Sequence, residues 1–279
     1  MKVYQHCLGC GNAFTGNYCN QCGEKVYDDH EKTFGHFIGH TLHFLTHLDN
    51  KFLKSFVLVF RRPGFLSMEI CRGVRKKYFP PLNLFLIGVI LYLLFPLLQG
   101  LNMSLESHLS HIYAPLLQPM VQYKLKSSAD MSALAADYAR IAPTVAKPLL
   151  LIIIPLCALV LSILFRKSRR YFYDHMTLSA ELNTFFIFLS FFILPLFDRI
   201  FRGIDNLMNG ATGLELNDPV MGWLVAGALF CFCIIAFRRF YKEKYLWIIL
   251  KSVLFLIWQT IVIFILYRII HVTLVLLFI

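Results

Sequence analysis

The sequence predicts an all-α polytopic membrane protein of about five transmembrane helices, preceded by a small zinc ribbon and an amphipathic connector helix. Two observations support this prediction. Of the 279 residues, 58% are apolar and only 15% are charged, with a mean hydropathy of +0.62. Soluble domains have about 45–50% apolar and about 25% charged residues, and they have too little interior to bury this much apolar surface. The second observation is a pair of CxxC motifs near the N-terminus.

Residues 1–26 form the predicted ribbon. Its two CxxC pairs have the spacing of a tetrahedral zinc site. The expected ligands are Cys7, Cys10, Cys19 and Cys22. Because four thiolates leave no open coordination position, we expect a structural zinc ion. A disulfide pair would need an oxidising compartment, and a redox CxxC would need a thioredoxin-like context that this short segment cannot supply.

Residues 27–81 form a predicted connector and a basic juxtamembrane segment. From Glu31 to about Phe60 the apolar residues recur at helical spacing, which predicts a helix lying in the membrane interface. The opposite face carries His36, His40, His43 and His47. We interpret these histidines as a wet polar face, and the alternative is a metal-chelating or pH-sensing stripe. Pro63 and Gly64 are expected to end the helix.

Six basic residues lie between positions 61 and 77, directly before the first long apolar run. Four of them are candidates for contact with anionic headgroups or another phosphate: Arg72, Arg75, Lys76 and Lys77. The simpler interpretation is that these charges only fix the membrane topology. Tyr78 and Phe79 are expected at the membrane interface.

Residues 82–279 form the predicted helical transmembrane domain. About 20 apolar residues are needed to cross about 30 Å of hydrocarbon. The predicted spans are 82–101, 148–165, 180–197, 220–237 and 246–267. The last run stays apolar to Ile279, interrupted by Arg268 and His271, so its end is left open.

The distribution of charge predicts the orientation. The segments predicted to lie on the same side of the membrane as the N-terminus carry 19 Lys and Arg residues, and those predicted on the opposite side carry 6. By the positive-inside rule, we expect the protein in the inner (cytoplasmic) membrane with a cytoplasmic N-terminus and an external C-terminus. The external loop 102–147 is predicted to contain one short surface helix that begins near Asp130 and is limited by Pro143.

Polar groups inside the spans are candidate functional residues. They are His175, Ser179, Asn183 and Gln259. Glu181 lies about 120° round the helix from His175 and is not expected to join them. Three cysteines of the spans are interpreted as small packing residues. They are Cys157, Cys231 and Cys233.

Several motifs follow one another in order along the chain. They are CLGCGNAFTGNYCNQCGEK, Leu48-Asp49, Arg62-Pro63-Gly64, Gly73-Val74-Arg75-Lys76-Lys77-Tyr78, Asp174-His175 and Asn183-Thr184-Phe185. In this ordered combination the chain resembles a family of uncharacterised bacterial membrane proteins that join an N-terminal zinc ribbon to a helical membrane domain. The resemblance implies this architecture, and the family has no established activity.

The sequence contains no phosphate-binding loop, zinc-protease helix or nucleophile elbow. We therefore expect a non-enzymatic integral membrane protein whose cytoplasmic ribbon docks an unidentified protein or mediates self-association. Expected partners also include anionic membrane lipids but no nucleic acid, because the basic residues adjoin apolar runs. The alternative is a small solute or ion transporter or channel that uses the intramembrane polar residues. A third hypothesis is a lipid-handling enzyme, but the sequence shows no evident pair of residues for general acid and base catalysis.

Overall fold

Helices make up most of the described chain, which comprises residues 5–24, 50–94, 103–125, 130–200 and 218–279 of a computed structural model. The head is an antiparallel hairpin in which β1 (Gln5–His6) pairs with β2 (Ala13–Phe14). The described α-helices are α1 (Asn50–Arg61), α2 (Phe65–Arg72), α3 (Pro81–Leu94), α4 (Leu105–Leu109), α5 (Ala114–Leu125), α6 (Met131–Leu149), α7 (Ile153–Leu164), α8 (Phe172–Phe188), α9 (Asp218–Tyr241), α10 (Tyr245–Ile261) and α11 (Tyr267–Phe278). The histidine stripe at positions 36–47 lies outside the described residues.

In the described ranges, three continuous helices are long and apolar enough to cross a membrane. They are Phe172–Ile200, Val220–Tyr241 and Tyr245–Phe278. Met131–Ala146 and Leu150–Leu164 would form a fourth span if the pair, bent by 49°, is one crossing. The described part of α3 has 14 residues, fewer than the about 20 that a crossing needs, and the predicted span 82–101 continues into residues outside the described ranges. Within the described ranges, length and composition therefore indicate a membrane protein with three candidate spans, or four if the bent pair is one crossing.

All three helices are longer than the spans predicted within them, and two of them are much longer. Phe172–Ile200 has 29 residues and Tyr245–Phe278 has 34. At 1.5 Å per residue they measure about 44 and about 51 Å, against about 30 Å of hydrocarbon. Each passes through a π-helical turn, at Leu189–Ile193 and Val262–Leu266. The apolar spans predicted at 180–197 and 246–267 therefore lie within helices that are longer than the hydrocarbon is thick.

The described part of the connector packs against protein. The Phe56 ring lies 4.7 Å from that of Phe188, and the Phe60 ring lies 5.4 Å from that of Phe185, both measured between ring centroids. Val59 is fully buried. For Asn50–Arg61 the apolar face of α1 is therefore covered by α8 rather than turned towards lipid.

A close approach fixes the next helix against α8. A Cβ atom added to Gly88 of α3 would lie 3.0 Å from the Phe188 ring and 3.1 Å from the Ile187 side chain. Thr184 donates a hydrogen bond to the carbonyl of Pro81 at 3.2 Å. The first residues of α3 thus lie beside the second half of α8, and both helices, with α7, contribute to the largest apolar cluster of the described residues.

The segment 103–149 forms a separate helical layer rather than a loop with one helix. Helices α5 and α6 pack against α11, and α4 packs against α5 and α6. The apolar cluster of this layer includes Leu117, Leu134, Tyr138, Val272 and Val275. The prediction that Pro143 limits the surface helix is wrong, since α6 continues to Leu149. The burial of one face against α11 compensates for the hydrogen bond that proline removes.

Candidate functional site

The four cysteines of the head converge on one point. Their sulfur atoms all lie within 4.8 Å of one another. The Sγ atoms of Cys7 and Cys22 are 3.4 Å apart, and those of Cys10 and Cys19 are 3.7 Å apart. Sulfurs held at about 2.3 Å around a tetrahedral ion lie roughly 3.8 Å apart. The four cysteines therefore have the spacing of a metal site and could hold a metal ion.

Each CxxC motif folds into the same tight turn. In the first, the amide of Cys7 donates to the carbonyl of Asn12, and the amide of Gly11 donates to the carbonyl of Cys7. The second motif forms the same two bonds with Cys19, Gly23 and Glu24. The glycines after the motifs have φ of +79° and +67°, a region that glycine adopts without strain. The two turns bring each pair of thiols to the same side of the backbone.

The thiols of the head differ in acidity: the pKa of Cys19 is lowered, whereas those of Cys10 and Cys22 are raised, because burial and the neighbouring thiols outweigh the backbone hydrogen bonds that lower them. The backbone amide of Cys22 donates to the Cys19 sulfur and lowers the pKa of Cys19 to about 6. A thiolate, not a thiol, is the metal ligand. Because all four ligands come from the protein, the arrangement suits a structural ion rather than a catalytic one. Elsewhere in the described ranges, no three His, Cys, Asp or Glu side chains are placed to share a metal ion.

The head contacts the basic segment through Glu24. Its carboxylate accepts hydrogen bonds from the backbone amide of Arg75 at 3.0 Å and from that of Lys76 at 3.2 and 3.3 Å. The Lys76 ammonium lies so close to Gly23 that a Cβ atom added there would collide with it. Glu24 is not among the predicted site residues, although its position directly after the second CxxC-Gly motif is the signal that points to it.

The four basic candidates have different surroundings. Arg72 is exposed and pairs with Glu69 at 3.1 Å. Arg75 is half-buried and donates to the Tyr173 hydroxyl at 3.2 Å, whereas Lys76 and Lys77 are exposed. The exposed side chains are the ones able to reach a headgroup.

The aromatic pair that follows the basic segment is buried. Tyr78 and Phe79 are 7% and 4% exposed. Tyr78 packs edge-on against the Phe65 ring, and the amide of Phe79 donates to the Ser55 hydroxyl at 2.8 Å. The prediction that these rings sit at the lipid interface is therefore wrong, because α1 and α2 cover them.

Three of the four intramembrane candidates form one hydrogen-bonded cluster. Asn183 accepts from Gln259 at 2.9 Å and donates to the backbone and hydroxyl oxygens of Ser179. Ser179 donates to the carbonyl of Ile154, and Cys157 donates to Gln259 at 3.4 Å. These bonds join α7, α8 and α10. The cluster is buried and its groups satisfy one another, which is the pattern of a contact between helices.

His175 lies apart from that cluster. Its Nδ1 atom is 2.7 Å from the Tyr241 hydroxyl, at the end of α9. One turn before it, Arg170 donates to the carbonyl of Phe240 and lies 3.9 Å from the Asp174 carboxylate. His175 therefore ties the start of α8 to the end of α9.

Glu181 is the buried group that sequence reasoning set aside. The structure agrees that it does not join His175, but its carboxylate accepts from the amides of Gly64 and Ser67, and from the Ser67 hydroxyl. These groups belong to the N-terminus of α2, where Gly64 is the N-cap and offers no side chain. Two features of the sequence could have indicated this contact. Glu181 is a lone acid in an apolar run, and the start of α2 lacks a capping side chain.

Comparison with known proteins gives a match over only part of the chain. A family model described as a protein of unknown function (DUF3667) matches residues 49–93. The matched segment covers α1, α2, the basic segment and most of α3. Neither curated proteins nor solved structures give a significant match. The chain is thus similar to this family over α1–α3.

Proposed function

We propose that the protein is a non-enzymatic integral membrane protein whose four-cysteine head binds a structural zinc ion and acts as a docking or oligomerisation module. The observation that supports this most is the closed set of four cysteines, folded into two matched turns and held against the membrane domain by Glu24. A site without an open position can organise a surface but cannot activate a substrate.

Zinc is the metal that this ligand set favours. Soft thiolates select Zn²⁺, Cu⁺ or iron–sulfur clusters, and a tetrahedral set of four sulfurs in two short turns is the usual structural zinc site. The head also exposes two large apolar side chains, Leu8 at 69% and Tyr18 at 61%. Such residues, next to a rigid metal centre, give a partner or a second copy something to contact.

We propose five spans in a bacterial inner membrane, with the head in the cytoplasm and the C-terminus outside. Three basic segments meet at the head end of the bundle, which supports this orientation by the positive-inside rule. Arg239 donates to the carbonyl of Pro63, and Arg170 donates to the carbonyl of Phe240. Exposed Arg72 and Lys77 then face the anionic headgroups of the inner leaflet.

The transporter reading depends on the cluster of Ser179, Asn183 and Gln259. A binding site for a solute would leave some of these polar groups available. Asn183 and Gln259 instead bond to each other and to Ser179 and Cys157. We therefore favour a role in helix association for this cluster.

The first experiment measures metal and assembly on the same samples. The full chain is purified without chelator into lipid nanodiscs, and zinc per chain is measured by mass spectrometry for wild type, Cys10→Ser, Cys22→Ser and the control Cys231→Ser. Oligomeric state and site-specific cross-links from position 18 are compared in parallel. We expect one zinc per chain, lost in the two head variants together with the cross-links, and retained in the control.

Two outcomes would contradict the proposal. The first is wild-type protein without zinc. The second is a set of head variants that keep every cross-link but lose a solute flux in reconstituted vesicles, since this would favour the transporter. The orientation is tested separately by reporter fusions after Lys25 and within residues 166–170, which should read cytoplasmic, and at Gly210 and after Ile279, which should read external.

A further inference from the structure

The Glu24 carboxylate fills a small anion-binding turn, residues 73–77, which we call the junction turn. Its two oxygens accept three hydrogen bonds from the successive backbone amides of Arg75 and Lys76, at 3.0 to 3.3 Å. Successive amides that converge on one anion form a nest, a geometry that binds phosphates as well as carboxylates. Glu24 is only 6% exposed, so the head covers this nest.

The fold of the head decides where the Glu24 carboxylate lies. The carbonyl of Glu24 accepts from the amide of Cys19 at 2.8 Å, within the second cysteine turn. On its other side, a Cβ atom added to Gly9 of the first turn would lie 3.2 Å from Glu24 Oε2. Glu24 is therefore held between the two turns that carry the thiolates. A head that loses its metal loses the frame that aims this carboxylate.

The charge of a zinc-loaded head would also hold it against the junction turn. Four thiolates outweigh the two positive charges of Zn²⁺, so the loaded centre is anionic. The Lys76 ammonium lies against Gly23, one residue from the Cys22 ligand. The loaded head therefore attracts the same residue whose amide it caps.

We infer that the head is a metal-dependent latch: with zinc bound it masks the anion-binding nest of the junction turn, and without zinc it uncovers the nest for the phosphate of an anionic lipid. The inference rests on the proposed zinc and membrane orientation. A lipid is the occupant that the surroundings favour, because Arg72 and Lys77 are exposed beside the nest, and Tyr171 and Phe172 are 48% and 42% exposed on the neighbouring helix start. Basic and aromatic side chains together are typical of the headgroup region.

The test follows amide hydrogen exchange in the junction turn of the full chain in nanodiscs. Wild type, chelator-stripped wild type and Glu24→Gln are compared in phosphatidylcholine alone, with zinc content measured on each sample. Glu69→Gln is the matched control, because it removes a carboxylate near the turn that accepts no bond from its amides. Bonds to a charged acceptor justify an expected rise of about tenfold in exchange for the stripped protein and Glu24→Gln, and none for Glu69→Gln.

A second arm tests the occupant. Stripped protein in discs that contain phosphatidylglycerol should regain slow exchange in the junction turn, whereas zinc-loaded wild type should not change. If Glu24→Gln retains zinc and exchanges as slowly as wild type, the latch is wrong. If inorganic phosphate in phosphatidylcholine discs restores protection as well as the lipid does, the lipid assignment is wrong. Failure of the proposed zinc site would appear separately, as wild type without zinc whose Glu24→Gln variant still exchanges faster.

Discussion

The Glu181 carboxylate accepts a hydrogen bond from the backbone amide of Gly64 at 2.8 Å, across 117 residues of sequence. A second oxygen accepts from the amide of Ser67 at 2.7 Å. The first amides of a helix have no partner within it, and a negative charge at this end also compensates the helix dipole. A long apolar helix thus supplies the cap that the N-terminus of α2 lacks, and it fixes the turn between α1 and α2 against the bundle.

Replacing Glu181 should loosen this turn. Glu181→Ala leaves the buried amides of Gly64 and Ser67 without an acceptor, and we expect it to destabilise the protein by roughly 2–4 kcal/mol. Glu181→Gln keeps an acceptor oxygen and should cost less. The measurements are thermal unfolding in detergent and the rate of trypsin cleavage after Arg61. The exposed Glu106→Gln is the control, and wild-type stability in Glu181→Ala would contradict the capping role.

Gly64 is required in this turn for two independent reasons. Its φ is +73°, and an added Cβ atom would lie 2.8 Å from the carbonyl oxygen of Ala236 on α9. Gly64→Ala should therefore cost roughly 2–4 kcal/mol through backbone strain and displacement of α9. Gly227→Ala is the matched control, because its Cβ atom would meet nothing within 4 Å. That variant should be neutral or stabilising by up to about 1 kcal/mol, and equal unfolding temperatures for the two variants would refute this reading.

Local sequence patterns were enough to predict the cysteine site of the head. The contacts of the membrane domain could not be predicted in the same way, because they join residues far apart in the sequence. The spacing of Cys7, Cys10, Cys19 and Cys22 is enough to bring four ligands together, because each pair is set by one tight turn. Glu181 and Gly64 meet only through tertiary packing, so periodicity within either helix carries no sign of the contact. Hydropathy located the apolar centres of three candidate spans but not the ends of the helices, which continue beyond the predicted runs.

The contact between Asn183 and Gln259 should stabilise the helices without serving a substrate. A double-mutant cycle of Asn183→Ala and Gln259→Ala should give a coupling energy of about 0.6 kcal/mol and at most about 1.7 kcal/mol, the range found for hydrogen bonds between membrane helices. Reversible unfolding in mixed micelles measures it. Thr260→Ala is the control, because the exposed Thr260 hydroxyl bonds only to its own helix. Zero coupling combined with a lost solute flux would support the transporter reading instead.

The helical layer formed by α4, α5 and α6 contains a buried histidine that should make the stability of the protein depend on pH. His108 of α4 is fully buried, and its Nδ1 atom lies 2.8 Å from the Tyr113 hydroxyl. Burial, followed by the nearby His271, Arg268 and His111, lowers the pKa of His108 from 6.5 to about 4. Between these values the unfolded chain binds a proton that the folded protein does not. The contribution of His108 to the free energy of unfolding is therefore lost progressively as the pH falls from about 6.5 towards 4.

His108→Gln should reduce this dependence. For wild type we expect the free energy of unfolding to fall by about 1–2 kcal/mol between pH 6.5 and 5, since one pKa unit corresponds to about 1.4 kcal/mol. His108→Gln should be less stable than wild type at pH 7, because glutamine does not reproduce the ring, yet change less with pH over this interval. Denaturant unfolding at several pH values measures both slopes. His111→Gln keeps the buried imidazole and should retain the wild-type slope, so a flat wild-type profile, or equal slopes for all three proteins, would show that another group controls this range.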